Sequence, residues 1–177
     1  AGGAVTGTGN MWTASDAASW FNGIVIKPVG AGHCMQGLSV IGNTFKAING
    51  NVDRIESVDT SIAGLDFGRS RNVVFEGNTF NSVTQATINP VTLEFNQNSD
   101  ATSWTLNSGA YLPFQGWARN VTGVVTEGPI TNASGATVFT QPYATTNYGA
   151  GNDQVQLTWS EACKGRVVVT TRMDNPF

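Results

Sequence analysis

The sequence predicts an all-β protein, with right-handed parallel β-helix coils followed by a C-terminal β domain. The first observation is a repeat: Gly-Asn-Thr-Phe occurs at residues 42–45 and again at 77–80, with apolar residues at matching positions on both sides. The second is that no stretch of about ten residues keeps the 3.6-residue apolar period of a helix. The third is that apolar runs are short and separated by Gly, Asn, Pro and Ser, as between β-strands.

A similar element precedes each copy of the repeat. NGIVI at residues 22–26 precedes the first Gly-Asn-Thr-Phe, AGLDF at 63–67 precedes the second, and VTLEF at 91–95 begins a third unit that lacks it. Units of about 22 residues plus loop insertions, each with three short strands, are typical of a parallel β-helix. Two unrelated β-hairpins with similar turns are the alternative interpretation.

The repeat also predicts which side chains meet between successive coils. Gly and Asn tolerate the left-handed backbone conformation that a sharp bend between two strands requires. We expect Asn43 and Asn78 to stack and to hydrogen-bond through their side chains along the axis. We expect Phe45 and Phe80, at one pleat position, to point inward and to stack within the core.

The strand pattern divides the chain into three segments. Residues 1–21 form an N-terminal connecting segment, in which TASDAASWF at 13–21 is the best helix candidate. Residues 22–96 form the β-helix coils. Residues 97–177 form a β-sandwich-like domain with longer, alternating strands. The open end of a β-helix exposes unpaired strand edges, and a trimerisation domain of this kind would cap them.

The composition argues against several classes of partner. Charged residues make up 12% of the chain, and the net charge of −3 comes without a basic stripe, so we expect no nucleic-acid partner. No apolar stretch approaches the roughly 20 residues that cross a bilayer, so we expect no membrane insertion. A single histidine, His33, predicts no metal site, and we expect no cofactor. Cys34 and Cys163 are either free or joined in a disulfide.

With coils such as SRNVVFEGNTFNSV at residues 70–83, the chain resembles a bacteriophage tailspike or tail-fibre fragment. The resemblance covers residues 22 to about 95 by motif, and 97–177 by order and composition alone. It implies a homotrimer on the virion, outside the cell, that binds the polysaccharide of a bacterial surface. Tailspikes often also cleave that polysaccharide, and we expect any such chemistry to lie mostly upstream of residue 1.

An acidic run supplies candidate catalytic residues. Asp53, Glu56, Asp59 and Asp66 lie close together in sequence, and Arg54 could orient a substrate carboxylate. Inverting glycosidases place two carboxyl groups roughly 6.5–9.5 Å apart and retaining ones about 5–5.5 Å apart, distances that residues on one β-helix face can reach. The simpler interpretation is a solvated insertion loop whose charges keep it soluble.

Aromatic residues in the second half supply candidate carbohydrate-binding positions. Trp104, Tyr111, Trp117 and Arg119 lie in turn-rich sequence that also contains Asn and Gln. Exposed aromatic rings stack on the apolar faces of sugars while neighbouring polar groups bond to the hydroxyls. Core packing or a trimer contact is the alternative role for these rings.

Three functions therefore remain open from the sequence. The first is the C-terminal part of a phage tailspike that trimerises and helps to recognise, or to degrade, a host polysaccharide. The second is a secreted β-helix glycoside hydrolase or polysaccharide lyase. A lyase would need a base and a cation, for which Arg69, Arg71, Lys27 and His33 are available. The third is a structural trimeric adhesin without catalysis.

Overall fold

The computed structural model describes residues 4–175, so residues 1–3 and 176–177, at the ends of the predicted segments 1–21 and 97–177, lie outside the described residues. The described chain is all-β. Its strands are β1 (Val5–Thr8), β2 (Met11–Ser15), β3 (Ile24–Ile26), β4 (Gln36–Ile41), β5 (Thr44–Ile48), β6 (Glu56–Val58), β7 (Arg71–Glu76), β8 (Thr79–Asn81), β9 (Val91–Asn107), β10 (Asn120–Thr126), β11 (Thr131–Asn132), β12 (Tyr143–Tyr148) and β13 (Gln154–Arg172). Two short 3-10 helices span Phe67–Arg69 and Pro113–Gln115. Within residues 4–175, no helix has the length and apolar character needed to span a membrane.

The first eight strands form three parallel sheets, which we call the parallel stack. The sheet orders are β1-β4-β7, β2-β5-β8 and β3-β6. Successive strands along the chain belong to different sheets, so the stack has three tiers: β1–β3, β4–β6 and β7–β8. In the predicted second unit, residues 63–67 were expected to be a strand. This is wrong, because the parallel partner of β3 is β6, and Phe67 begins a 3-10 helix.

The first tier includes residues that the sequence had assigned to a helix. The prediction of a helix over 13–21 is wrong, because Met11–Ser15 is β2 and pairs in parallel with β5. Apart from one turn, in which the Phe21 N–H donates to the Ala18 carbonyl, nothing in this segment is helical. The sequence Gly-Asn-Met-Trp at residues 9–12 holds the position in this tier that Gly-Asn-Thr-Phe holds in the next two.

An asparagine ladder and an aromatic column run through the three tiers. The Asn43 Nδ2 lies 3.2 Å from the Asn78 Oδ1, and the Asn10 Nδ2 lies 3.1 Å from the Asn43 Oδ1. The preceding glycines, Gly9, Gly42 and Gly77, have φ of +66°, +65° and +64°, the left-handed conformation that glycine adopts without strain.

The aromatic column lies beside the ladder. The Phe45 ring stacks on Phe80 at 5.7 Å between centroids, with 11° between the ring planes. Trp12 stacks on Phe45 at 5.9 Å and 21°. Phe45 is buried, whereas Trp12 in the first tier is 39% exposed. The column therefore repeats one packing contact from tier to tier and ends at an open face.

The last five strands form an antiparallel sheet around a long pair. β9 and β13 pair from Val91↔Thr171 to Asn107↔Gln154, and β10, β11 and β12 pair with other parts of β13. VTLEF at 91–95 was expected to begin a third parallel unit. This is wrong, because these residues pair antiparallel with β13. β9 also runs without a break across residues 96 and 97, where the sequence placed a domain boundary.

The two parts share one hydrophobic core and meet along β7. Phe75 exchanges two 3.0 Å backbone hydrogen bonds with Asn89, and Asn175 bridges to Arg71. These contacts cover the outer edge of β7. The buried aliphatic and aromatic residues of both parts belong to a single cluster. Residues that flank the antiparallel sheet therefore cover the edge of β7 at one end of the parallel stack.

A buried ionic cluster fixes this junction. The Asp174 carboxylate accepts hydrogen bonds from the Val73 N–H at 2.9 Å, from Asn89 Nδ2 at 2.9 Å and from Arg172 Nε at 3.1 Å. The Asn89 side chain in turn accepts from the Met173 N–H at 2.9 Å. Asp174 is fully buried, so each of these donors offsets part of the cost of removing its charge from water.

Candidate functional site

A buried carboxylate belongs to the lining of a surface cleft. Glu56 is 1% exposed, at the start of β6. Its Oε1 accepts from Arg54 Nε at 2.9 Å and from the Phe114 N–H at 3.1 Å, and its Oε2 accepts from the Thr87 hydroxyl at 2.5 Å. Both carboxylate oxygens of Glu56 therefore have hydrogen-bond donors, and a cationic side chain is paired with it.

The partner guanidinium connects this carboxylate to a distant part of the chain. Arg54 is 8% exposed, and beyond Glu56 it donates to the Ala110 carbonyl at 2.6 Å and to the Leu112 carbonyl at 3.0 Å. The planar fork of arginine suits such a set of acceptors. Arg54 and Glu56 therefore join the parallel stack to the segment between β9 and β10.

The turn that these residues hold has an unusual backbone. Phe114 and Gln115 have φ of 58° and 53°, the left-handed region that a bulky side chain rarely enters. The Phe114 ring is buried and packs edge-on against Phe75, with centroids 6.0 Å apart. Backbone strain of this kind persists where surrounding contacts fix the conformation, and it is common at ligand sites.

A cleft of about 420 Å³ opens between this turn and the loop after β6. Val58, Leu65, Phe67 and Phe114 supply its apolar wall. The polar groups at its lining include Thr60 and Gln115, both exposed. Its one charged lining residue is Glu56, which Arg54 neutralises. The cleft therefore offers an uncharged surface with an apolar wall and a few hydrogen-bonding groups.

The other three predicted catalytic carboxylates have separate environments. Asp53 is exposed, whereas Glu56 is buried, so the two do not face a common solvent surface. Asp59 Oδ2 lies 2.8 Å from Lys27 Nζ, and hydrogen bonds from Lys27 and then Ser61 lower the pKa of Asp59 well below its usual range.

Asp66 has a structural role at a helix start. Its Oδ1 accepts from the Arg69 N–H at 3.2 Å and caps the 3-10 helix Phe67–Arg69. Its own N–H donates to the His33 carbonyl at 2.8 Å. The structure thus brings Asp59 and Asp66 to the loop that borders the cleft, but each carboxylate already has a partner.

The predicted carbohydrate-binding residues are only partly accessible. Trp104 is completely buried and lies 4.9 Å from Trp159, measured between ring centroids. Tyr111 is half-buried and packs against the core. A fully buried indole presents no face to a sugar, so Trp104 serves the core of the antiparallel sheet.

Trp117 and Arg119 lie near the chain end that covers β7. The half-buried Trp117 ring packs against Phe67, a residue of the cleft wall, with 6.1 Å between ring centroids. With its amide oxygen turned toward Arg119, Asn175 accepts from Arg119 Nε at 3.1 Å and from Nη2 at 3.2 Å. Trp117 therefore contacts the cleft wall without belonging to the lining of the cleft.

Sequence reasoning missed the residues that shape this site, Thr87, Phe114 and Gln115. One signal was present, because Arg54 and Glu56 have opposite charges and lie on either side of the apolar Ile55. Opposite charges two positions apart beside an apolar residue are consistent with an internal ion pair. Thr87 and Phe114 gave no such signal, because their contacts with Glu56 cross 31 and 58 positions of sequence.

The described residues also bear on metal binding. Within residues 4–175, no three His, Cys, Asp or Glu side chains are grouped so that they could hold a metal ion. Cys34 and Cys163 are both free, the first half-buried and the second buried.

Comparison with protein-family models, with curated proteins and with solved structures finds no match to this chain.

Proposed function

We propose that this chain is the C-terminal part of a tailspike-type protein, and that it recognises a bacterial surface polysaccharide without cleaving it. In this proposal the parallel stack is the last part of a right-handed parallel β-helix, and the antiparallel sheet is its trimerisation domain. The observation that carries the proposal is the repeated contact between tiers, in which Asn10, Asn43 and Asn78 form one ladder. Repeats that stack one structural unit on the next are the basis of such solenoids.

The cleft supplies the chemistry for binding an uncharged sugar. Pyranose rings have an apolar face of C–H groups and a rim of hydroxyls, which fits a wall of Leu65 and Phe67 beside the polar Thr60 and Gln115. A strained turn held by the Arg54–Glu56 pair would keep these groups in place before the ligand arrives. Preorganisation of this kind lowers the entropic cost of binding.

Binding without cleavage follows from the state of the carboxylates. Glycosidic cleavage needs one carboxyl group that donates a proton and a second that acts as base or nucleophile. Here Glu56 is buried in an ion pair, Asp59 is paired with Lys27, and Asp66 caps a helix. These contacts favour a binding role over proton transfer.

Exposed apolar side chains on the antiparallel part support a trimer on the virion surface. Phe139 is 92% exposed, Tyr143 is 73% exposed and Val125 is 62% exposed. Large apolar side chains in contact with water commonly mark a surface that is buried in an assembly. Three copies that bury these residues would give the compact end of a fibre outside the cell.

The first test is the mass of the protein in solution, measured by light scattering beside SDS gels of unheated and boiled samples. We expect a mass near three times 18.6 kDa and a trimer band that survives SDS without heating, because interlocked chains unfold slowly. A monomer in both measurements would contradict the tailspike proposal.

The second test separates sugar binding from assembly. Thr60→Trp fills the cleft, whereas Ser61→Trp places the same ring at the neighbouring exposed position, which does not line it. On an array of bacterial surface glycans we expect the Thr60 variant to lose binding and the Ser61 variant to keep it. Equal binding by both variants would exclude the cleft as the sugar site.

A further inference from the structure

The dipeptide Asn-Gly occurs twice in the chain, at residues 22–23 and 49–50. An asparagine in this position can lose ammonia without an enzyme, because the main-chain nitrogen of the glycine can attack the asparagine amide. Glycine favours the reaction, since it has no side chain to hinder that approach and its backbone turns freely. The fold gives the two copies different surroundings, and these predict different reactivity.

Contacts with the second tier hold the first copy in place. Asn22 is half-buried, and its Nδ2 donates to the Arg54 carbonyl at 2.9 Å. The Gly23 N–H donates to the Ile55 carbonyl at 2.9 Å. The amide nitrogen that would leave and the main-chain nitrogen that would attack are therefore both engaged. Both hydrogen bonds must break before this copy can react.

The second copy lies in an exposed turn directly after β5. Asn49 and Gly50 are both exposed, and Asn49 has a φ of 57°, a left-handed conformation that asparagine tolerates better than most residues. Within residues 4–175, the Gly50 N–H donates to no backbone carbonyl, and the Asn49 amide forms no side-chain hydrogen bond. The Gly50 nitrogen can therefore turn toward the Asn49 amide carbon without breaking a hydrogen bond.

A carboxylate already lies beside this turn in the first tier. Ser15 and Ile48 are partners in the parallel pair β2–β5, so Asp16 and Asn49 follow them at matching positions. Asp16 is exposed and has a φ of 54°, close to that of Asn49. Neighbouring strands lie about 4.8 Å apart. A second carboxylate at position 49 would therefore lie next to that of Asp16, and like charges at facing positions are destabilising.

We propose that the Asn49–Gly50 turn is a site of spontaneous covalent modification, which converts Asn49 to aspartate or isoaspartate and places a second carboxylate beside Asp16. The Gly50 main-chain nitrogen forms a bond to Asn49 Cγ, the bond from Cγ to Nδ2 breaks, and the proton of the attacking nitrogen leaves with the amide group as ammonia. Water then opens the cyclic imide at one of its two carbonyls. Water is the only co-reactant, and the site is independent of the trimer and of the sugar cleft.

The test follows both copies in the whole protein during incubation in mildly alkaline buffer. Peptide mass spectrometry locates each conversion by the mass gained when an amide becomes a carboxyl group. We expect Asn49 to convert about tenfold or more faster than Asn22, because only the Asn22 copy must first break hydrogen bonds. In concentrated urea, where these contacts are lost, we expect the two rates to agree within about threefold.

A matched variant tests the attacking group. Gly50→Ala places a methyl group beside the attacking nitrogen, and we expect it to slow conversion of Asn49 without changing that of Asn22. The turn can accept this methyl group after a slight shift, because the nearest atom to the added Cβ is the Ala17 carbonyl oxygen at 3.3 Å. Equal rates at Asn49 and Asn22 in the folded protein would overturn the proposal. So would an Asn49 that converts in urea but not in the folded protein.

The effect of the new carboxylate is measured separately with Asn49→Asp, which has the sequence of one product. At low salt, we expect this variant to raise the equilibrium constant of urea unfolding by about twofold to fivefold, and Asp16→Asn in the same chain to remove the increase. An unchanged constant would contradict the proximity to Asp16. None of these results depends on the solution mass or on glycan binding, so failure of this site and failure of the proposed function can be told apart.

Discussion

Replacing Glu56 with glutamine tests whether a buried ion pair holds the cleft. The change leaves the shape of the side chain almost intact, and a glutamine oxygen can still accept from Arg54 and from the Phe114 N–H. The Thr87 hydroxyl can rotate to accept from the new amide. The main loss is the negative charge, which leaves the guanidinium of Arg54 buried at 8% exposure without a counter-charge. Breaking a buried pair in this way costs about 3–5 kcal/mol, and we expect the lower end, about 3 kcal/mol, because the hydrogen bonds survive.

The assay is urea unfolding at neutral pH, followed by intrinsic fluorescence. With a slope of about 2 kcal/mol per molar urea, the loss lowers the midpoint by about 1.5 M. Asp53→Asn is the matched control, since that carboxylate is exposed and three positions away, and it should stay within about 0.5 kcal/mol. The double replacement Arg54→Met with Glu56→Leu should not recover the loss, because it removes the partners of the Phe114 N–H, the Thr87 hydroxyl and the Ala110 and Leu112 carbonyls. If Glu56→Gln cost less than about 1 kcal/mol, the pair would not hold the turn as the geometry indicates.

Three further predictions concern the ladder, the thiols and one exposed pair. Asn43→Ala removes side-chain bonds to both neighbouring tiers, so we expect urea unfolding to show a loss of about 1–3 kcal/mol, and no loss would contradict the ladder's role. Cys34 should react with iodoacetamide in the native protein. Burial raises the pKa of the Cys163 thiol, so Cys163 should react only after unfolding. Labelling of both thiols in the native state, measured by peptide mass spectrometry, would contradict this prediction. The hydrogen bond from Lys27 lowers the pKa of Asp59 in the folded protein. The stabilisation by this pair is therefore present above the ordinary carboxyl pKa and is lost as the pH falls through the lower pKa of Asp59 in the folded state. The stability difference between the native protein and Lys27→Met should therefore shrink on acidification, and a difference that grows would refute the pairing.

The sequence predicted the tier contacts best where identical residues recur. Gly-Asn-Thr-Phe occurs twice with the same flanks, and the pairs Phe45↔Phe80 and Thr44↔Thr79 lie opposite each other in the structure. The register is readable because a shift by one residue would turn every inward side chain to the other face. The first tier was missed because Met11 and Trp12 replace Thr and Phe, so that only the Gly-Asn pair is shared.

Strand direction was not readable from the same patterns. VTLEF alternates apolar and polar residues like the strands of the stack, and alternation gives the face of a strand but not the direction of its neighbour. Its partner is β13, which pairs Val91 with Thr171 across most of the second half of the chain. Residues 91–95 contain no local pattern that could indicate a pairing partner so far along the chain.

At the candidate site, the sequence likewise did not indicate which charged side chains are buried. A cluster of carboxylates in sequence suggested a surface site, but the fold gives each one a different environment. Glu56 is enclosed because the 3-10 turn at Pro113–Gln115 packs over it, and Asp53 stays in water because nothing does. Burial depends on segments that lie elsewhere in the chain, so the sequence indicates that charges are near one another but not which of them meets solvent.

Both buried ionic clusters lie where distant parts of the chain meet. Glu56 reaches Phe114 across 58 positions, and Asp174 reaches Val73 across 101. Apolar contacts alone would join the stack to the sheet in many similar arrangements, whereas a buried charge tolerates only the arrangement that supplies its partners. We infer that these two clusters fix how the antiparallel sheet docks on the stack. The same docking covers the edge of β7 and places Phe114 in the wall of the cleft, so these two features have one structural cause.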